Sequence, residues 1–297
     1  MTLKREHFLF ALMCLIWGAT WIAVKAGLSS VPPALFAGTR FVAAGLVLLM
    51  IIYHRGESMR LAGSHLLRFA AVTGLVIVAT YFLLFWGAKF VSSGLAAILD
   101  LAFVPVALLV VSLVLGEEKI NFVKAAGVGV GVIGLVILFG PKAFSNHAGS
   151  RSELIGSAAI VLSALTYGLG SVLARPLLDI YSPLLISGTT MLSGGILLLV
   201  GSLAFEPGSR DAVANLNWGS AAWAGWLFLV VFGSLIAFTI FLELVRSWGP
   251  SSAGAYSFIS PAIAVVLGVV VFGEVITAVD AAGMITMLGG AWLTLRQ

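Results

Sequence analysis

The amino-acid sequence predicts an all-α integral membrane protein whose ten transmembrane helices form two five-helix inverted repeats. Three observations carry this expectation. Of 297 residues, 61% are hydrophobic and only 9% are charged, against roughly 25% charged in an ordinary soluble domain. A chain so poor in charge cannot cover a soluble surface. Its apolar residues fall into ten segments, each near the roughly 20 residues a helix needs to cross a bilayer. The second half of the chain also repeats residues of the first at constant offsets.

Charged residues mark the ends of the spans, which are expected at 8–28, 34–53, 66–88, 93–115, 121–140, 153–173, 183–204, 220–244, 251–273 and 277–295. Span 1 begins close to Met1 and imitates a signal peptide, but Trp17, Trp21 and Lys25 stand where a cleavage site needs small residues. It is read as a retained helix. Spans 3, 6 and 9 lie in stretches without Asp, Glu, Lys or Arg (69–88, 154–174 and 247–273). The stretch 212–242 is also uncharged and too long for one span. Part of it is therefore assigned to the interface, where Trp collects, with Trp218, Trp223 and Trp226 as the markers. Trp86 and Trp248 are read in the same way.

Loop charges set the orientation. With the N-terminus inside, ten of the sixteen Lys and Arg residues fall on the inner side and five on the outer, with Arg40 within span 2. The excess places both termini in the cytoplasm. The sequence pI near 9.4 reflects these loops and is no sign of a nucleic-acid partner. Cys14 has no second cysteine to pair with, and no cluster has the spacing of a metal site. The four histidines fall in loops or at span ends. Neither a His-Glu-x-x-His helix nor a Gly-x-Ser-x-Gly elbow occurs, so an enzyme is not expected. Without a nucleotide-binding loop, neither is ATP hydrolysis or a cofactor. The expected partners are a small-molecule substrate and membrane lipid.

The repeat appears on shifting the sequence against itself. At an offset of 150, Pro33 falls on Pro183, Gly38-Thr39 on Gly188-Thr189, Gly45 on Gly195, and Trp17-Gly18 on Tyr167-Gly168. At 156, Pro105 falls on Pro261, Glu118 on Glu274, Ala125-Ala126-Gly127 on Ala281-Ala282-Gly283, and Gly134 on Gly290. The units are 1–142 and 150–297, with 143–149 as a linker. Five spans per unit is odd, so the second copy enters the membrane inverted. Inverted repeats place a substrate site near the midplane and rock around it. Alternating-access transport is the function this predicts.

Arg40 in span 2 and Asp100 in span 4 are the charges placed clearly within a span, where they are costly and usually functional. Two readings stay open: a structural Arg40–Asp100 ion pair, or Asp100 facing a cavity to receive a substrate ammonium or a proton. Pro105 and Pro261 each remove a backbone hydrogen bond inside a span, and are read as kinks beside the substrate path that assist gating. Gly127-x-x-x-Gly131 has the spacing of a membrane-helix packing motif, and spans 5 and 10 are expected to pack on each other or to form a dimer face. Glu243 and Arg246 have the spacing of a local helix pair.

Leu15-Ile16-Trp17-Gly18 in span 1 resembles the opening signature of the drug/metabolite transporter superfamily of EamA type. Pro105 with Glu118 in Leu115-Gly116-Glu117-Glu118 is similar to a second family motif, as is Pro261 with Phe272-Gly273-Glu274. The resemblance spans the whole chain and is nearest to the aromatic amino-acid exporters. It implies a secondary transporter that exports small metabolites across the inner membrane, with a cavity lined by spans 1, 3, 4, 6, 8 and 9. Trp17, Tyr81, Asp100, Tyr167, Phe238, Tyr256 and Ser260 are then the candidate substrate-binding residues. Aromatic rings with polar tips suit a flat, partly apolar ligand. The alternative is a multidrug or cationic-compound/proton antiporter.

Overall fold

The computed structural model describes residues 2–119, 121–144, 150–272 and 275–296. Among them, ten helices are long and apolar enough to cross a membrane: α1 (Arg5–Leu28), α2 (Pro33–His54), α3 (Gly63–Ala88), α4 (Leu95–Val114), α5 (Phe122–Pro141), α6 (Arg151–Leu178), α7 (Pro183–Phe205), α8 (Ser220–Trp248), α9 (Pro250–Val270) and α10 (Ala278–Leu295). Each corresponds to one expected span. Residues 145–149 of the linker, and Gly273 with Glu274 of the second motif copy, lie outside the described residues.

Short polar residues start the helices. Ser92, Ser150 and Ser182 accept the backbone N–H three residues on, satisfying a donor that a helix start leaves open. Thr277 and Asp280 form a reciprocal capping box at α10. At α2 the cap is supplied from afar. Its first turn follows Pro32 and Pro33, and the Glu206 carboxylate at the end of α7 accepts Ala34 N–H at 3.2 Å and Leu35 N–H at 3.1 Å. Ser202 Oγ donates to the same carboxylate at 2.7 Å.

Two helix pairs pack most extensively, α5 on α10 and α2 on α7. Both use glycine to bring backbones together. A Cβ on Gly134 would stand 2.5 Å from Met287 N, and one on Gly45 2.5 Å from Leu192 N. The apolar side chains are as soluble in lipid as in the bundle, so such close backbone contact is what holds membrane helices together. Spans 5 and 10 therefore pack on each other within one chain. Between the pairs, α6 packs on α3 and α4, and α1 on α8 and α9.

Among the described residues, two helices carry a π-helical stretch, Gly74–Ala79 in α3 and Leu229–Phe238 in α8, a wider turn frequent at functional sites. Thr80 Oγ donates to Leu75 O, five residues back, at 2.7 Å, filling one gap that the wider turn leaves. Helix α9 is also interrupted, at Gly254-Ala255, between a first turn at Pro250–Ala253 and the helix Tyr256–Phe272.

The assignment of Trp218 to the membrane interface needs correction. The indole is 5% exposed, stacks on Trp223 at 4.4 Å between centroids and donates to Ala212 O at 3.0 Å. The reason is the short helix Ser209–Asn215, which folds back beside it. Trp223 is 39% exposed, while Trp248 donates to Glu6 at 2.7 Å. Cys14 is a buried core residue, and Arg246 donates to Glu243 at 2.7 Å within α8.

Candidate functional site

The helices enclose a cavity of about 200 Å³. Its wall includes Trp17, Thr20 and Val24 of α1, Phe36, Arg40 and Phe41 of α2, Thr80, Tyr81, Leu84 and Phe85 of α3, Asp100 and Val104 of α4, and Tyr167 of α6, closed by Met191 of α7, Gly233, Ser234 and Phe238 of α8, and Tyr256 and Ser260 of α9. All seven residues named from the sequence as candidate binding residues meet there. Spans α2 and α7 line it in addition to the six expected. The volume is below the roughly 300–1,000 Å³ of sites for drug-sized ligands, which matches a small metabolite.

Its floor is a cluster of rings. Trp17 meets Tyr256 edge-on at 4.3 Å, and Phe241 lies 5.6 Å from Trp17, 5.5 Å from Tyr167 and 5.9 Å from Tyr256. Phe241 is wholly buried, so it fixes the other three rings without reaching the cavity. On the far wall Phe41 and Tyr81 meet edge-on at 4.8 Å. Edge-to-face geometry between such rings contributes about 0.5–1.5 kcal/mol per pair beyond area burial. The cage is thus braced before any ligand enters. Trp17 Nε1 also donates to Gly233 O at 3.4 Å, tying α1 to the π-helical stretch of α8.

Several hydroxyl protons are already committed. Thr20 donates to Trp17 O at 2.6 Å, Thr80 to Leu75 O, and Ser260 to Cys14 O at 3.2 Å. These groups offer lone pairs to a ligand, not protons. Ser260 accordingly binds α9 to α1 while lining the cavity.

The expected ion pair between Arg40 and Asp100 does not form. Among the described residues, no ion pair joins them. The cause is the aromatic wall: the Arg40 guanidinium lies 4.5 Å from the Phe41 centroid and 5.2 Å from that of Tyr81, a cation–π arrangement that holds it on the α2–α3 side. The two charges share the cavity without neutralising each other. The prolines stand beside the cavity rather than in its wall. Pro105 and Pro261 are buried inside α4 and α9, and neither lines the cavity; their preceding residues Val104 and Ser260 do. A proline ring projects from its own helix position, so a kink and a cavity contact fall on different residues.

Thr20, Thr80, Ser234, Phe41 and Phe241 were not singled out by the sequence. Thr20 lies one helical turn from Trp17, and Thr80 and Phe41 adjoin residues that were identified. Phe241 follows Phe238 by one turn, a spacing indistinguishable from ordinary core packing.

The wall residues lie in the second half of α1, the first third of α2, the last part of α3 and the first half of α4, but near the middle of α6 to α9, so the cavity sits about midway along the bundle. The terminal face, which carries both termini, is tied shut. There the Glu118 carboxylate after α4 accepts Ser251 N–H at the start of α9 at 3.1 Å and also Ser251 Oγ–H, and stands 3.6 Å from Lys124 Nζ. Gly249 has φ +86°, and a Cβ there would strike Glu118. Arg175 at the end of α6 donates to Glu117 O and lies 3.5 Å from its carboxylate. Two acidic neighbours thus bind three other helices.

The comparisons bear on this architecture. The model of the EamA-like transporter family matches twice, over residues 4–140 and 154–296. The chain is 31% identical over 280 residues to the uncharacterized inner membrane transporter YedA of Escherichia coli strain K12, covering 92% of this chain and 84% of that protein. It is 26% identical over 263 residues to the uncharacterized transporter YoaV of Bacillus subtilis strain 168, with 89% and 87% covered. A solved crystal structure, 20% identical, superposes with a TM-score of 0.83 over 98% of this chain and 96% of that one, which shows a shared fold. Ten membrane-spanning helices around one aromatic-walled cavity, matched across both halves by one family model, make this chain a member of the EamA-like transporter family.

Proposed function

We propose that the protein is a secondary exporter of small metabolites, aromatic or other hydrophobic amino acids foremost, working across the inner membrane by alternating access between two five-helix units of opposite topology. The cavity carries this reading: an aromatic cage with a few polar groups, between helices of both halves, is the usual form of a site for a small, partly apolar ligand. Pairing of α2 with α7 and α5 with α10 supports two units that meet along glycine seams. The Glu117 and Glu118 contacts that join helices at the terminal face correspond to one end state of the cycle. With both termini cytoplasmic, that state is closed on the cytoplasmic side.

The rival reading is a cation/proton antiporter, favoured by one observation: the Asp100 carboxylate lines the cavity without an ion pair among the described residues. Uptake into proteoliposomes, measured across a panel of amino acids and organic cations with and without a pH gradient, separates the two. Counterflow of phenylalanine or tryptophan supports the amino-acid reading. Transport of cations alone, driven by the pH gradient, overturns it.

A further inference from the structure

The geometry points to a zwitterion as the occupant of this cavity, its carboxylate held by Arg40 and its ammonium by Asp100. This rests on the transport reading and names the polar half of the ligand, which the aromatic cage leaves undefined.

Arg40 is 8% exposed, lines the cavity, and its Nε has no hydrogen-bond partner among the described residues. No carboxylate of the described residues pairs with it. A guanidinium so deeply buried without a counter-ion is strongly destabilising, yet the rings of Phe41 and Tyr81 hold it in place. Its planar fork is shaped to grip a carboxylate through two parallel hydrogen bonds. Asp100 is the opposite pole. It lies on the same cavity and, among the described residues, makes no ion pair. The hydroxyls of Thr20, Thr80 and Ser260 spend their protons on backbone carbonyls, so the poles are the chief groups left to bind charge.

The fold itself does not call for either charge. At the offsets of 150 and 156 the matching positions are Thr190 and Tyr256. The same helix positions in the second half are therefore filled without a charge. Electroneutrality selects the ligand. A cation satisfies Asp100 and leaves Arg40 unpaired, an anion does the reverse, and only a molecule with both charges satisfies the two when the cavity closes. Sites built to pair a ligand group reject analogues that lack it, because their own groups are left unpaired.

The test is counterflow in proteoliposomes with four probes: phenylalanine, phenethylamine (no carboxylate), 3-phenylpropionate (no ammonium) and leucine. Unaltered protein is expected to favour phenylalanine over both truncated analogues by about 10,000-fold in kcat/KM, the discrimination of sites that pair polar groups. Arg40→Gln should abolish the preference over phenethylamine and keep that over 3-phenylpropionate; Asp100→Asn should do the converse. Arg40→Lys, which keeps charge but not the fork, should retain part of the preference. Each ratio is measured within one sample, so a lower yield of folded variant does not move it. Equal transport of phenylalanine and phenethylamine by the unaltered protein, or ratios that Arg40→Gln and Asp100→Asn leave unchanged, overturns the inference and leaves the aromatic reading intact. Transport of leucine but not phenylalanine, with the ratios recast on isoamylamine and 4-methylpentanoate following the same pattern, overturns the aromatic reading and upholds the zwitterion.

Discussion

Removing the Glu118 carboxylate should open the terminal face. Glu118 sits at the end of α4 with its side chain 9% exposed, and its bonds fall into two kinds. Lys124 begins α5, six residues on, and moves with Glu118 whatever α9 does. The two hydrogen bonds from Ser251 cross to α9 and break when that helix swings away. A hydrogen bond to a charged group contributes roughly 1.5–3 kcal/mol net. Glu118→Gln retains an oxygen for Ser251 N–H, and Ser251 Oγ can turn to accept. It forfeits the charge and about one such bond, or about 1.5 kcal/mol from the closed state alone. That amounts to roughly a tenfold rise in the open population. Glu118→Ala leaves Ser251 N–H without its acceptor and costs about 1–3 kcal/mol more.

Thiol labelling reads this population directly. Cys14 is the sole cysteine and is buried, so Cys14→Ala gives a clean background. Ser252 is 2% exposed with an unpartnered hydroxyl, and Ser252→Cys places a near-isosteric reporter one residue beyond the clasp. A membrane-impermeant maleimide applied to the terminal face of inverted vesicles should label this reporter slowly, and about tenfold faster with Glu118→Gln. Ser251→Ala should act in the same direction, and the double variant should add little to either single change, because both remove one interaction. Equal labelling rates in proteins of unchanged thermal stability would refute the clasp as the element that holds this face closed.

Other outcomes follow from the packing and the cavity. Gly134→Ala, which drives a methyl onto the Met287 backbone, should lower stability by about 1–3 kcal/mol in a detergent melt. Gly129→Ala, with nothing within 4 Å, should stay within about 0.5 kcal/mol of the unaltered protein. Trp17→Ala removes the ring that meets Tyr256 at 4.3 Å and should cut kcat/KM for phenylalanine or tryptophan about tenfold, by the roughly 1.5 kcal/mol upper value of such a contact, with expression retained; unchanged export would remove Trp17 from the site. Reporter fusions at Gly149 and Gln297 should read periplasmic and cytoplasmic, and the same side for both would break the five-plus-five division.

What the sequence discloses and what it hides divide along physical lines. Hydrophobic length survives any tertiary arrangement, because lipid demands it of each helix alone; hence every expected span has its counterpart, α6 and α8 merely running on to Leu178 and Trp248. Trp17, Tyr81 and Tyr256 were legible as cavity residues because a polar-tipped ring midway along a span has few other uses. Pairwise geometry is different. Depth along α2 and α4 put Arg40 and Asp100 at one level, but depth says nothing about azimuth, and the rings of Phe41 and Tyr81 decide where the guanidinium rests. The π-helical stretches at Gly74–Ala79 and Leu229–Phe238 leave no mark in composition, since a wider turn depends on which neighbour fills it. Glu206 and Glu118 show the same limit most sharply. Each is a loop carboxylate by sequence, and each becomes a helix cap only because another helix start arrives beside it. A helix N-terminus carries partial positive charge, so a loop glutamate that finds one is bound until the helices part. On the alternating-access reading proposed above, such borrowed caps are the contacts that break first, and the acidic residues at span ends are where the conformational balance is set.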